Sequence, residues 1–465
     1  MIKRVYKVLR NFPWLPLVCL GAAWLLARTE TLQDLEWRSL DWRTQFRTHF
    51  QGRPDPRIAI ILYSDDTDSN LVAWPPDRAY HGTLSELLSL AGPKVITWDV
   101  ILDASREGDG DNAMGRGVTA AFANGTAVVT GSVTNTEPVD IAGPKTSPTR
   151  PFTQVEGSIN EIFGDKFAIV PFPQLRAAGL YGFVDAPPGV DGIVRQIPLV
   201  VRIGHQVFPS LSLQTVMAYY HLKPKEVRVV PGDAVYLPTP AGVTRVPITK
   251  QGMYLVNYRY DQDLRFKLEA GQQAATKTGQ SDFRLDYPTD EYGGVLLKLN
   301  AHFVEQKANV ALPDYHGKIV LIGQYVTGKA DGGPTSLSSY SPLVLIHANV
   351  VNNILDRDFV RPVPAWLIWT ALLVLGYLSV YTARHGSLIV MCAYGLLVAV
   401  AYTNLVFWGW IQWSLHLPLV APMIGFVTLE FIVIGRRVWH EQRAKQAIKG
   451  MFGSYVSPAV VDRLV

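Results

Sequence analysis

Four uncharged apolar runs bracket a long central stretch of shorter apolar segments. The runs cover residues 12–27, 365–383, 387–407 and 414–434. The first has about 16 residues, short for a span, since roughly 20 helical residues are needed to cross roughly 30 Å of hydrocarbon. The other three are long enough, and none carries a charge before Glu430. In the central stretch, short β-rich runs bounded by turn residues predict strands at 57–64, 94–100, 126–132, 197–203, 253–259 and 318–323. Helical spacing falls between or after them, at 80–91, 113–123, 210–220 and 347–355. This alternation predicts an α/β domain with a mixed sheet. "GHQV" (204–207) predicts a hairpin turn, and the apolar runs predict one N-terminal and three C-terminal transmembrane helices.

Charge orients these elements. Lys3, Arg4, Lys7 and Arg10 precede the first run, Arg384 and His385 separate the second from the third, and "GRRVWHEQRAKQAIK" follows the fourth. Cytoplasmic loops carry the excess of Lys and Arg, so all three basic segments are expected inside. Four crossings satisfy them. The uncharged "WGWIQW" loop then falls outside, where Trp408, Trp410 and Trp413 fit an interfacial aromatic belt. The predicted layout is a cytoplasmic N-terminus (1–11), a first helix (12–27), an extracytoplasmic domain (28–362), helices at 365–383, 387–407 and 414–434, and a cytoplasmic linker (435–465). A cleaved signal peptide is the other reading of residues 12–27. Against it, "LLARTE" has no small-x-small cleavage pattern and Cys19 has no lipobox around it. Either reading leaves the large domain outside.

Composition narrows the classes. At 465 residues the chain exceeds one ordinary domain. A net charge of +4 with no basic block interleaved with aromatics excludes a nucleic-acid partner. Cys19 and Cys392 both lie in apolar runs, so the central region has no disulfide and no thiolate metal site.

Several motifs bear on chemistry. "GQYVTGKA" (323–330) follows a predicted strand and approaches a phosphate-binding loop, but Ala330 stands where a hydroxyl would hold Mg²⁺, and "DGGPTS" follows where a helix should begin. It reads as an ordinary loop. "YSDDTD" (63–68) and "EGDGDN" (107–112) are acidic loops without the full spacing and distal Glu of a calcium loop, and they read as solvated turns. Ligands of open α/β sheets bind beyond the carboxyl ends of the strands. That rule makes Asp65, Asp66, Asp99, Asp103, Gln324 and Tyr325 the expected rim of a sensory pocket, with helix and turn capping as the alternative role for the aspartates. His416 and Glu430 fall in the last apolar run near its ends and are read as interfacial. No metal-binding spacing and no nucleophile motif is present, so nothing in the sequence completes an active site.

Six separated blocks, among them "LEWRSLDWRTQFR" (35–47), "DPRIAIILYSDDT" (55–67), "GFVDAPPGVDGIVRQIPLVVRIGHQVFPSLSLQ" (182–214), "HGKIVLIGQ" (316–324) and "IHANVVNNIL" (346–355), resemble the CHASE2 domain. The sixth is residues 74–102. The resemblance implies an extracytoplasmic bacterial sensor module placed before three closely spaced membrane helices, and hence a multi-pass protein of the bacterial inner membrane. It implies no particular ligand, so the extracytoplasmic ligand or protein partner is unknown.

After the last apolar run, Val438, Trp439, Ala444, Ala447 and Ile448 form a weak apolar stripe. "FGSYVSPAVVDRLV" then resembles the linker ahead of the catalytic domain of class III adenylate/guanylate cyclases, with Phe452, Gly453, Tyr455, Ser457 and Pro458 as its signal-relay core. The resemblance implies a cyclase domain beyond Val465 that makes cyclic AMP from ATP. It implies Mg²⁺ or Mn²⁺ in that missing domain, no cofactor in the present residues, and a homodimer, because the family's site is shared between two subunits. Two other readings stand beside it: a sensor without enzymatic activity that works through a separate partner, and the sensor part of a kinase.

Overall fold

The computed structural model describes residues 14–50, 52–64, 67, 75–106, 108–138, 148–261, 287–307, 309–326 and 331–452, with side chains up to 448 in the last helix. The chain divides into two compact units. Thr44–Val360 forms one, and the residues before and after it form the other.

The Thr44–Val360 unit is built on a seven-stranded sheet: β1 (Ile58–Ser64), β2 (Val95–Ile101), β3 (Ala127–Asn135), β4 (Phe167–Ile169), β5 (Leu180–Phe183), β6 (Thr289–Glu291) and β7 (Ile319–Tyr325). The order is β6-β1-β7-β2-β3, and β3 then pairs with both β4 and β5 along its far edge. Only the β3–β4 pairing is antiparallel. The sheet is therefore mixed, as its sequence predicts. A parallel sheet buries both faces, which is why β1 reads as a continuous apolar run. Ile58, Ile60 and Leu62 enter one core and Ala59, Ile61 and Tyr63 the other, following the period of two along a strand.

Helices Arg78–Leu90, Gly110–Ala123 and Tyr292–Leu299 cover one face. The first two cross at glycines: a Cβ added at Gly117 would lie 2.1 Å from the Gly82 carbonyl oxygen. Helices Leu211–Tyr219 and Val344–Asp356 cover the other face, with small sheets and hairpins around them.

Two predicted strands are shorter than their apolar runs. Pro198, which has no amide donor, ends Gln196–Pro198, and Val200–Ile203 pairs separately with Gln206–Pro209 around Gly204 at φ 58°. Met253–Leu255 stops early because side chains bind the backbone after it. Asn349 and Asn353 of the Val344–Asp356 helix each accept from and donate to main-chain groups between Asn257 and Tyr260. Arg47 adds to this, donating to Asn257 Oδ1 (2.8 Å) and the Tyr258 carbonyl (2.6 Å).

The other unit is helical. Two of its helices, Ala365–His385 and Leu388–Trp413, are long and apolar enough to cross a membrane. Leu15–Leu26 has 12 residues, and the chain bends by 84° before the next helix. The predicted loop at Trp408–Trp413 is instead the last turns of the Leu388–Trp413 helix, which ends at Ser414 in a left-handed conformation (φ 52°). Residues 414–419, predicted as the start of the final span, are not helical. Leu415–His416 pairs with Arg361–Pro362, and the final helix is Val420–Phe452. Its first turn is capped from a distant residue: the Glu36 carboxylate accepts from the Leu419 and Val420 amides at 2.8 Å and is held by Arg43. A carboxylate there satisfies orphan amides and complements the helix dipole. The His416 ring stacks on Trp37, 6.3 Å away, and Glu430 is buried with its carboxyl against Gly395.

Candidate functional site

A cavity of about 570 Å³ opens at the carboxyl ends of β2, β3, β5 and β7, against the start of the Val344–Asp356 helix. This is the crevice in which open α/β sheets place ligands, and its volume suits a small molecule.

Strand parity selects the acidic group. Asp99 shares the face of Val95 and Thr97, where Thr97 Oγ1 bonds Thr215 Oγ1 of the Leu211–Tyr219 helix at 2.9 Å. Asp99 therefore points toward the two helices on that face and is only 6% exposed. Its Oδ1 lies 3.7 Å from His347 Nε2, too far for a hydrogen bond. Burial pushes Asp99 up to about 7 and His347 down to about 4, so between these values both are neutral and the contact is not an ion pair. Asp331, from the loop after β7, is pushed up to about 6 by burial and then by Asp99. Asp185, beyond β5, is also raised by burial, although Thr134 Oγ1 donates to it at 2.6 Å.

Ser212, His347 and Asp99 do not form a hydrolytic triad. Ser212 Oγ and His347 Nδ1 are 2.8 Å apart, but Ser212 is wholly buried and does not line the cavity. Its hydroxyl fixes the imidazole ring, and a nucleophile would have to reach a substrate.

Several cavity groups are unsatisfied. Among the described residues, no hydrogen bond reaches the Asp99 carboxyl, the Asp331 carboxyl or the Gln324 side-chain amide, and Gln324 Oε1 is buried. Buried polar groups are nearly always paired, so the buried Gln324 Oε1, beside two carboxyl groups that receive no hydrogen bond from described residues, directs hydrogen-bonding capacity into the cavity. No group of acidic, His or Cys residues suited to a metal ion occurs among the described residues.

Of the six residues expected at the rim, Asp99 and Gln324 are brought together here. Asp103 is exposed beyond the end of β2 and does not line the cavity. Tyr325 packs its ring against Tyr340 at 5.9 Å instead. Asp65 and Asp66 lie outside the described residues, as do Gly453, Tyr455, Ser457 and Pro458 of the linker; Phe452 is described in its helical backbone only. His347, Asp331 and Asp185 were missed. Asp185 carried the one usable signal, an acid directly after the short apolar segment "LYGFV".

The other motifs have structural uses. At Gly323 an added Cβ would meet Val344 at 2.6 Å, so this glycine lets the helix approach β7. Residues 327–330 of that motif and Glu107 of "EGDGDN" lie outside the described residues. Asp109 pairs with Arg116 at 2.6 Å and Asp111 with Arg78 at 2.5 Å, so both carboxylates are engaged by arginine.

The family model of the CHASE2 domain matches residues 18–383, more than three-quarters of the sequence. The chain belongs to the CHASE2 family, and this extracellular sensor domain fits a sensory role. No curated protein and no solved structure matches it.

Proposed function

We propose that the protein is a membrane-anchored receptor that binds a small molecule in the cavity beside Asp99 and signals to a class III adenylate cyclase domain in the cytoplasm. The observation that carries the sensory part is the set of unpaired polar groups aimed into a cavity at the strand ends of a CHASE2 sheet. The cyclase part rests on the resemblance of "FGSYVSP" to the linker of that enzyme class.

In this reading Thr44–Val360 lies outside the cell membrane and the chain crosses it four times, once near the N-terminus and three times near the C-terminus. Basic residues around Arg384 and Arg436 support the inside placement of the bundle's far end. The Glu30–Arg47 helix offers a route for the signal. It carries Glu36 and Arg43, which hold the start of the final helix, and Arg47, which holds the Asn257–Tyr258 backbone of the sensor. Two copies would combine into the shared cyclase site, with Mg²⁺ or Mn²⁺ held in the cyclase domain. Shifts of helices at a subunit interface are an established means of control.

The test is the intact mass of the native protein extracted from its own membranes, followed by a cyclic AMP assay with Mn²⁺. A mass exceeding 51.5 kDa by a further domain, with cyclic AMP formed, is expected. A native mass of 51.5 kDa would overturn the cyclase assignment and leave a sensor that needs a separate partner.

A further inference from the structure

We infer that the cavity takes a protonated organic amine, its ammonium group held by Asp99, Asp331 and Gln324 Oε1 and its apolar remainder by Val133, Phe163, Val184, Leu343 and Ile346. This rests on the reading of the cavity as the sensory site.

The unsatisfied atoms choose the class. Among the described residues, three carboxyl groups line the cavity and no Lys or Arg does. Asp185 already receives bonds from Thr134, whereas Asp99 and Asp331 receive none from described residues. Among the described residues, Gln324 Oε1 is a buried amide oxygen without a partner and a further acceptor. What the described wall lacks is a positive charge. A primary ammonium supplies three donors, together with the charge that offsets carboxylates placed near one another. An anion would meet three acids with no cation among the described lining residues to hold it, and above pH 7, where Asp99 and Asp331 are ionised, a neutral alcohol would leave their charge uncompensated. The remaining lining is mostly aliphatic with Phe163, so a small alkyl or aryl group completes the fit. His347, fixed by Ser212, contributes a neutral ring edge beside Asp99 rather than a competing positive charge.

The test is calorimetric titration of the purified full chain in lipid nanodiscs with benzylamine, benzyl alcohol and phenylacetate, three probes that share a ring and differ in the polar group. Benzylamine is expected to bind at least tenfold more tightly than the other two. Asp331→Asn is expected to weaken it at least tenfold, as is Asp99→Asn, which keeps the side-chain shape and removes a buried acid. Ala186→Trp, which fills the cavity wall, should abolish binding. Tighter binding of alcohol or carboxylate that is lost in Ala186→Trp would overturn the amine and leave the sensory cavity standing. Benzylamine binding unchanged in all three variants, or no binding by any of the three probes, would overturn the amine inference. Survival in Ala186→Trp would also remove the cavity as the site.

Discussion

Asp99 costs the folded sensor stability at neutral pH, and Asp99→Asn should recover it. The folded state raises the Asp99 pKa from 3.8 to about 7 through burial. At about 1.4 kcal/mol per pH unit this shift amounts to about 4 kcal/mol. The sign follows from proton counts. Between pH 3.8 and 7 the folded state keeps a proton that the unfolded state has released, so this residue's contribution falls as pH rises and levels off above 7. Asp331, raised from 3.8 to about 6, adds a second falling contribution up to pH 6. His347, lowered from 6.5 to about 4, acts in the opposite direction, because the unfolded state holds the extra proton between those values. From these three groups the native protein loses about one proton's worth of stability per pH unit between pH 4 and 6, or about 1.4 kcal/mol. In Asp99→Asn the remaining two cancel. Asparagine has the shape and polarity of the protonated acid, so the proteins should match near pH 4 and diverge by about 4 kcal/mol above pH 7, about 6 °C in melting temperature for a unit of this size. The assay is thermal unfolding of the full chain in detergent at pH 4 to 8, followed by tryptophan fluorescence. A variant less stable than the native protein at pH 8, or a difference independent of pH, would refute the reasoning.

Other substitutions probe the framework. Arg47→Met should lower sensor stability by about 1–3 kcal/mol, because it removes the charged hydrogen bonds to Asn257 Oδ1 and the Tyr258 carbonyl; the same melts measure it. Gly117→Ala should cost about 3 kcal/mol by forcing apart the two helices that meet at Gly82, and a variant with native melting behaviour would count against that close crossing. Glu36→Gln should cost about 1 kcal/mol by weakening the charged cap on the Leu419 and Val420 amides, visible as faster hydrogen exchange at the start of the final helix.

The sheet was readable because parallel strands are apolar on both faces, so β1, β2, β3 and β7 stand out as short continuous runs. The short strands β5 and β6 offered no such contrast. The chemistry was less readable. The rule of strand carboxyl ends reached Asp99 and Gln324, but it cannot separate Asp99, which parity turns toward the helices, from Asp103, which lies beyond the strand. His347 sits in "IHANVVNN" among asparagines that bind backbone, and its role depends on a helix packing across the end of β2. Asp331 approaches Asp99 only through the β2–β7 pairing, which is separated in sequence by more than 200 residues. The ends of the apolar helices were misplaced because hydropathy marks apolar length and not hydrogen bonding: tryptophans continue a helix through Trp413, and a capping Glu36 far upstream sets where the last one starts.

The central claim is a sensor held outside the membrane, and thiol labelling in intact cells tests it most directly. With Cys19 and Cys392 replaced by serine, His205→Cys occupies an exposed turn of the sensor and Lys445→Cys an exposed position near the far end of the final helix. The account predicts that a membrane-impermeant maleimide labels position 205 in intact cells and position 445 only after permeabilisation. Labelling of position 445 in intact cells, with position 205 protected, would contradict it.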